Sequence, residues 1–75
     1  MTITLDRESA GAYYNRFGNI LATVHYHLLA IDTFEKAITI DPQNPLYHLH
    51  LARSYTALGL TTLAAEARHR ANSLK

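Results

Sequence analysis

Apolar residues recur along this chain at intervals of three and four, with polar residues between them. Tyr14, Phe17, Leu21 and Val24 form one such stripe, and Ala30, Phe34, Ala37 and Ile38 a second. Leu51, Tyr55 and Leu58 form a third, and Leu63, Ala67, Ala71 and Leu74 a fourth. Alternating threes and fours follow one face of a helix of about 3.6 residues per turn. Strand-like alternation is confined to the opening residues 1–5, "MTITL".

Turn-forming residues separate the stripes. Pro42 biases Asp41 away from helical backbone, and Asn44-Pro45 reads as an N-cap followed by proline at the first helical position. Gly59 stands just past the third stripe, with Thr61 and Thr62 before the fourth, as a C-cap and an N-cap would. The stretch from Arg7 to Ile40 is too long for one capped globular helix. Its weakest point is "ATVHYH", where β-branched and aromatic residues lower helix propensity. The pattern therefore predicts an all-α chain of four helices, at about 7–23, 27–40, 45–58 and 61–74.

Small residues fall where bulky ones would hold helices apart: Gly18 and Ala30 in the first pair, Ala52 and Ala64 in the second. Each is offset from its counterpart by 34 positions. The first register reads Tyr14, Phe17, Gly18, Leu21, Ala30, Phe34, Ala37 and Pro42. The second reads His48, Leu51, Ala52, Tyr55, Ala64, Arg68 and Ala71. Taken as a set, these residues resemble the tetratricopeptide repeat, whose period is about 34 residues. The resemblance covers residues 11–75. It makes 1–10 an extension running into the first helix, 11–44 one repeat, and 45–75 a second repeat truncated at its C-terminal end. The implied architecture is two helix-turn-helix units, four antiparallel helices in all, stacked as a short α-solenoid. His48 and Arg68 depart from the family by replacing the aromatic residues Tyr14 and Phe34. His25 occupies a turn slot where the family usually has glycine, so the first turn is expected to differ from the usual one.

Repeats of this family bind polypeptides in a groove lined by the first helix of each unit. The resemblance puts Ala12, Asn15, Asn19 and Ala22 on that face in the first unit, and Leu46, Leu49, Arg53 and Thr56 in the second. Asn15, Asn19, Leu49, Arg53 and Thr56 are the expected partner contacts, with Asn19 and Arg53 side by side. Amides can bond a peptide backbone, and arginine can hold a carboxylate through two parallel bonds. Family members that clamp a carboxylate chain end use several lysines on this face. Asn15 stands where one of them would, which argues against that specialised activity.

Composition narrows the other classes. Seventy-five residues make one small domain, which buries only about 60–65% of its unfolded surface. Cysteine is absent, so no disulfide reinforces the core. With 48% hydrophobic residues, 17% charged residues and a net charge of +1, the chain fits an ordered domain. Arg53, Arg68 and Arg70 are too few for a phosphate footprint, so no nucleic-acid partner is expected. No apolar run approaches a membrane span and the opening residues lack a signal-peptide pattern, which leaves cytoplasmic residence as the expectation.

No enzyme chemistry is expected either. Ser9, Ser54 and Ser73 lack a glycine elbow, no paired carboxylates mark a site, and no glycine-rich phosphate loop exists. Asp32 with Lys36, and Glu66 with Arg70, have the four-residue spacing of solvated ion pairs. Four of the five histidines sit in His-x-His pairs, His25/His27 and His48/His50. On a helix, residues two apart point about 200° away from each other, so His48 and His50 cannot share an ion. His25 and His27 could converge near a turn, but no thiolate is present and Asp32 is the nearest carboxylate in sequence. The expectation is no metal and no cofactor, with His48 filling the slot of Tyr14 and the other histidines at the surface.

Two repeats leave an unfinished stack, since solenoid units normally need about three or more neighbours. Arg68, His69 and Arg70 make the last helix polar and partly cap that end. Tyr13 and Ile20, seven apart beside the apolar "MTITL", would instead face a preceding unit. Self-association through these two residues is expected, unless the chain is a fragment of a longer array. Arg7, Arg16 and Lys36 against Asp6, Glu8, Asp32, Glu35 and Asp41 give residues 1–45 a net of −2. Arg53, Arg68, Arg70 and Lys75 against Glu66 give residues 46–75 a net of +3. The charge asymmetry favours contact between unlike ends. Two functions remain: an adaptor that binds a protein or peptide, and a structural subunit whose main act is homo-oligomeric assembly.

Overall fold

A computed structural model describes residues 6–74. It contains four helices: α1 (Arg7–Thr23), α2 (His27–Ile40), α3 (Pro45–Ala57) and α4 (Thr61–Ser73). The described residues contain no strand, and the alternating "MTITL" lies outside them. The fold is all-α, and the predicted helices are observed to within a residue at every end. Helix α1 packs closely on α2 and α3 on α4, giving two helical hairpins. They stack through α2 and α3, with a smaller contact between α1 and α3. The result is a slab of 46 × 29 × 14 Å.

Local chemistry sets the helix ends. Asp6 caps α1 by accepting from the Ser9 N–H at 2.7 Å, and this bond holds its carboxyl below the usual pKa of an aspartate. Asn44 caps α3 by accepting from the Leu46 N–H at 3.0 Å, with Pro45 beginning the helix.

The two hairpin turns have the same geometry. In the first, His25 N–H donates to Ala22 O at 3.0 Å and Tyr26 N–H to Leu21 O at 2.9 Å. In the second, Gly59 N–H donates to Thr56 O at 3.0 Å and Leu60 N–H to Tyr55 O at 2.9 Å. These are Schellman closures, and every atom of one has its counterpart 34 residues on. The expected difference in the first turn is therefore corrected. His25 takes a φ of 66°, beside 76° for Gly59, and so adopts the left-handed backbone glycine favours. For a residue with a Cβ this conformation costs about 1–2 kcal/mol.

Ala30, Ile31, Phe34, Leu51, Ala52 and Ala67 form the core, with Leu21, Ala22, Ile38 and Tyr55 packed against it. Gly18 lets α1 close on α2: a Cβ there would lie 2.5 to 2.9 Å from three atoms of the Phe34 ring. Gly11 similarly admits the ring of Tyr47, which is part of the contact between α1 and α3. In the second hairpin the approach runs along alanines, with Ala52 on α3 and Ala64, Ala67 and Ala71 on α4 all buried. Arg68, at the Phe34 slot, leaves the core and donates to Thr56 Oγ1 at 3.2 Å.

Part of the expected core faces outward. Phe17 and Val24 are about half exposed and join Tyr13 and Ile20 on a separate stripe, while Leu58 and Leu63 are also exposed near the second turn. Position explains α1. One period on, Tyr47, Leu51 and Ser54 are buried on α3, a face that α2 and the Gly11 end of α1 cover, and no helix among the described residues covers α1 in the same way.

Candidate functional site

Three helices enclose a cleft of about 440 Å³. Asn19, Ala22 and Thr23 of α1 form one wall, and His50, Arg53 and Ser54 of α3 the other. His27 and Phe34 of α2 complete it. The Phe34 ring is almost fully buried, and the His50 ring sits 5.7 Å from it between centroids, tilted by 42°.

Polar groups in the cleft differ in how far they are satisfied. His50 Nδ1 lies 2.7 Å from Asn15 Oδ1, a hydrogen bond that ties α3 to α1. Burial lowers the pKa of His50 below its ordinary value, and the neighbouring Arg53 cation adds to the effect. The ring is thus mainly neutral at neutral pH. Ser54 is 2% exposed, yet its Oγ has no hydrogen-bond partner, and neither has the buried Nδ1 of His27. Arg53 is exposed and unpaired: among the described residues, the ion pair found is Lys36 with Asp32 at 3.2 Å. Glu66 and Arg70, expected to pair, do not meet within that range. No carboxylate lines the cleft. It offers one permanent cation, an amide, a free hydroxyl and two imidazoles around an aromatic floor.

The sequence-derived groove residues divide. Asn19 and Arg53 meet on the cleft, with Ala22 beside them. Asn15 is occupied by His50. Thr56 faces α4, donating to Ala52 O at 2.9 Å and accepting from Arg68. Leu49 is half-buried and Leu46 exposed, neither lining the cleft. Ala12 lies with Ser9, Tyr13 and Arg16 along another depression. Tyr13 and Ile20 are 70% and 56% exposed.

Sequence reasoning missed His27, Phe34, His50 and Ser54 as cleft residues. A signal existed for Ser54: it stands one period after Ile20, a polar residue on an otherwise apolar face. His48 is buried, with Nε2 3.1 Å from Pro42 O. The expectation that the remaining histidines lie at the surface is corrected for His27 and His50, which are half-buried against neighbouring helices. The His25 and His27 rings meet edge to face at 5.7 Å. Among the described residues, no three histidine, aspartate or glutamate side chains gather where an ion could bind, and no helix is long and apolar enough to cross a membrane.

What fold and cleft define is a pair of stacked helical hairpins with a polar, cationic groove. No family model matches the chain, and no curated protein or solved structure gives a significant match.

Proposed function

We propose that the chain is a two-repeat tetratricopeptide-type module that binds an extended polypeptide in the cleft between α1 and α3. Residues 11–44 and 45–75 are its units, it acts in the cytoplasm, and it performs no catalysis. The observation that carries this reading is the cleft itself. Asn19 and Arg53, one period apart, converge there with an unpaired guanidinium, an unpartnered buried hydroxyl and no carboxylate. An acidic side chain or chain end of the ligand would satisfy Arg53, while Asn19 would bond its backbone. The identical turns support the repeat assignment, because a 34-residue duplication accounts for them without further assumption.

A peptide library displayed against the immobilised protein tests the reading. Acidic sequences should be enriched, and Arg53→Ala should weaken their binding by about 10-fold or more, in line with a lost charge-assisted hydrogen bond. Its melting midpoint should stay near that of the parent, since an exposed arginine contributes little to folding. Undiminished affinity in Arg53→Ala would place binding elsewhere.

A second reading is that of a structural subunit assembling with copies of itself. The exposed Tyr13, Phe17, Ile20 and Val24 favour it. At about 100° per residue, this stripe lies roughly 140° around α1 from the cleft wall, so the two activities do not compete for surface. Light scattering at micromolar concentration tests it: a stable monomer of 8.4 kDa at low and high salt would end this reading.

A further inference from the structure

We propose that the exposed stripe of α1 is a two-fold interface, in which α1 of one chain packs antiparallel on α1 of a second copy. This rests on the self-association reading and specifies its geometry. Tyr13, Phe17 and Ile20 are 70%, 48% and 56% exposed, whereas their equivalents Tyr47, Leu51 and Ser54 are 3%, 6% and 2% exposed. The two helices end in the same turn, so the same face is presented in both. On α3 it is covered by α2 and, at Tyr47, by Gly11 of α1, and it opens at Leu58, the equivalent of Val24, which is 39% exposed. On α1 it is a helix-packing face that no helix among the described residues covers.

The outer face of α4 does not suit it. The α2 surface that covers α3 carries Ile31 and Ile38 in the core, with Glu35 accepting from Tyr55 Oη at 3.3 Å. One period on, α4 presents Ala65, His69 and Asn72, all exposed. End-to-end stacking would set a tyrosine, a phenylalanine and an isoleucine against an alanine and two polar residues. Opposite charge at the two ends steers encounter, but apolar area supplies most affinity.

A second copy of α1 does suit it. The stripe Tyr13, Phe17, Ile20, Val24 has spacings of four, three and four, which read the same in reverse. An antiparallel copy therefore sets Phe17 against Ile20 at the centre and Tyr13 against Val24 at each end. No charge interrupts the stripe. The pairing also joins two hairpins to two more, so that each stack gains neighbouring units.

The chain has no cysteine, so single introduced cysteines report the geometry directly. Phe17→Cys and Ile20→Cys, both at exposed positions, should each form a covalent homodimer under mild oxidation. Tyr13→Cys and Val24→Cys should cross-link poorly alone and well when mixed. Ile20→Arg should yield a monomer by light scattering with an unchanged circular dichroism spectrum, and the parent dimer should be little affected by salt. Cross-linking of Ile20→Cys to His69→Cys but not to itself would replace the two-fold with end-to-end stacking. An oligomer in which none of these pairs cross-links would overturn the two-fold alone. A parent that scatters as a monomer would overturn self-association as well.

Discussion

Gly18→Ala sets two general effects against each other, and the structure decides between them. Inside a helix, replacing glycine by alanine gains about 1 kcal/mol of propensity. At Gly18 the new methyl would meet Phe34 Cε1, Cδ1 and Cζ at 2.5, 2.7 and 2.9 Å. The ring is 1% exposed and held within the core, so it cannot turn into solvent. Overpacking of this kind costs about 1–3 kcal/mol, which after the propensity gain should leave the variant up to about 2 kcal/mol less stable. For a chain of this length, each kcal/mol lowers the melting midpoint by about 4–8 °C. Thermal unfolding by circular dichroism at matched protein concentration would measure it. Repeating the substitution in a Phe34→Leu background should abolish most of the loss, because the clashing ring is gone. The second hairpin already has this arrangement, with Ala52 where Arg68 replaces the ring. A Gly18→Ala protein that melts above the parent would refute the close approach of α1 and α2.

Ala64 is 2% exposed where α3 and α4 approach, so Ala64→Leu should cost about 1–3 kcal/mol; a melt identical to the parent would count against the repeat assignment. His25→Gly should stabilise the chain by about 0.5–1 kcal/mol, as strain relief outweighs the added freedom of the unfolded chain. Gly59→Ala should cost about 1–2 kcal/mol although nothing lies within 4 Å of the added Cβ, and equal stability of both variants with the parent would refute the left-handed turns. The folded-state pKa of His50 is depressed, so the unfolded chain takes up its proton first as pH falls. Its contribution is present in full above the ordinary value of 6.5 and is lost as pH drops through the folded value. Urea midpoints should therefore fall on acidification, and less steeply in His50→Gln; parallel slopes in the two proteins would refute the assignment.

The parts of the fold legible in the sequence were those set by neighbours along the chain. Pro42, Asn44-Pro45 and Gly59 placed three helix ends because their chemistry acts within a turn of themselves. The break at "ATVHYH" was visible from propensity alone, but His25 in a glycine conformation was not, since the preference is overridden by the closure around it. The 34-residue spacing of small residues foretold which helices approach. The side of α1 left uncovered was misread at Phe17. Phe17 and Leu51 are the same kind of residue at equivalent positions, and only the presence of α2 beside one of them separates their burial. The cleft was half legible for the same reason. Asn19 and Arg53 followed from the period, whereas His50 bonds Asn15 across 35 positions and Ser54 is buried by a helix distant in sequence.

The alanine seam of α4 has a consequence for motion. Ala64, Ala67 and Ala71 fill the space between α3 and α4 with single methyl groups, where α2 drives the Phe34 ring beneath α1. Dispersion scales with the number of atoms in contact, so α4 is held by fewer of them than any inner helix. Amide protons should therefore exchange faster in α4 than in α2 and α3, through openings that detach it while the layer of α1, α2 and α3 stays closed. The groove between α1 and α3 would persist through such an excursion, leaving the binding surface on the slowly exchanging part of the molecule and the fraying at its far edge.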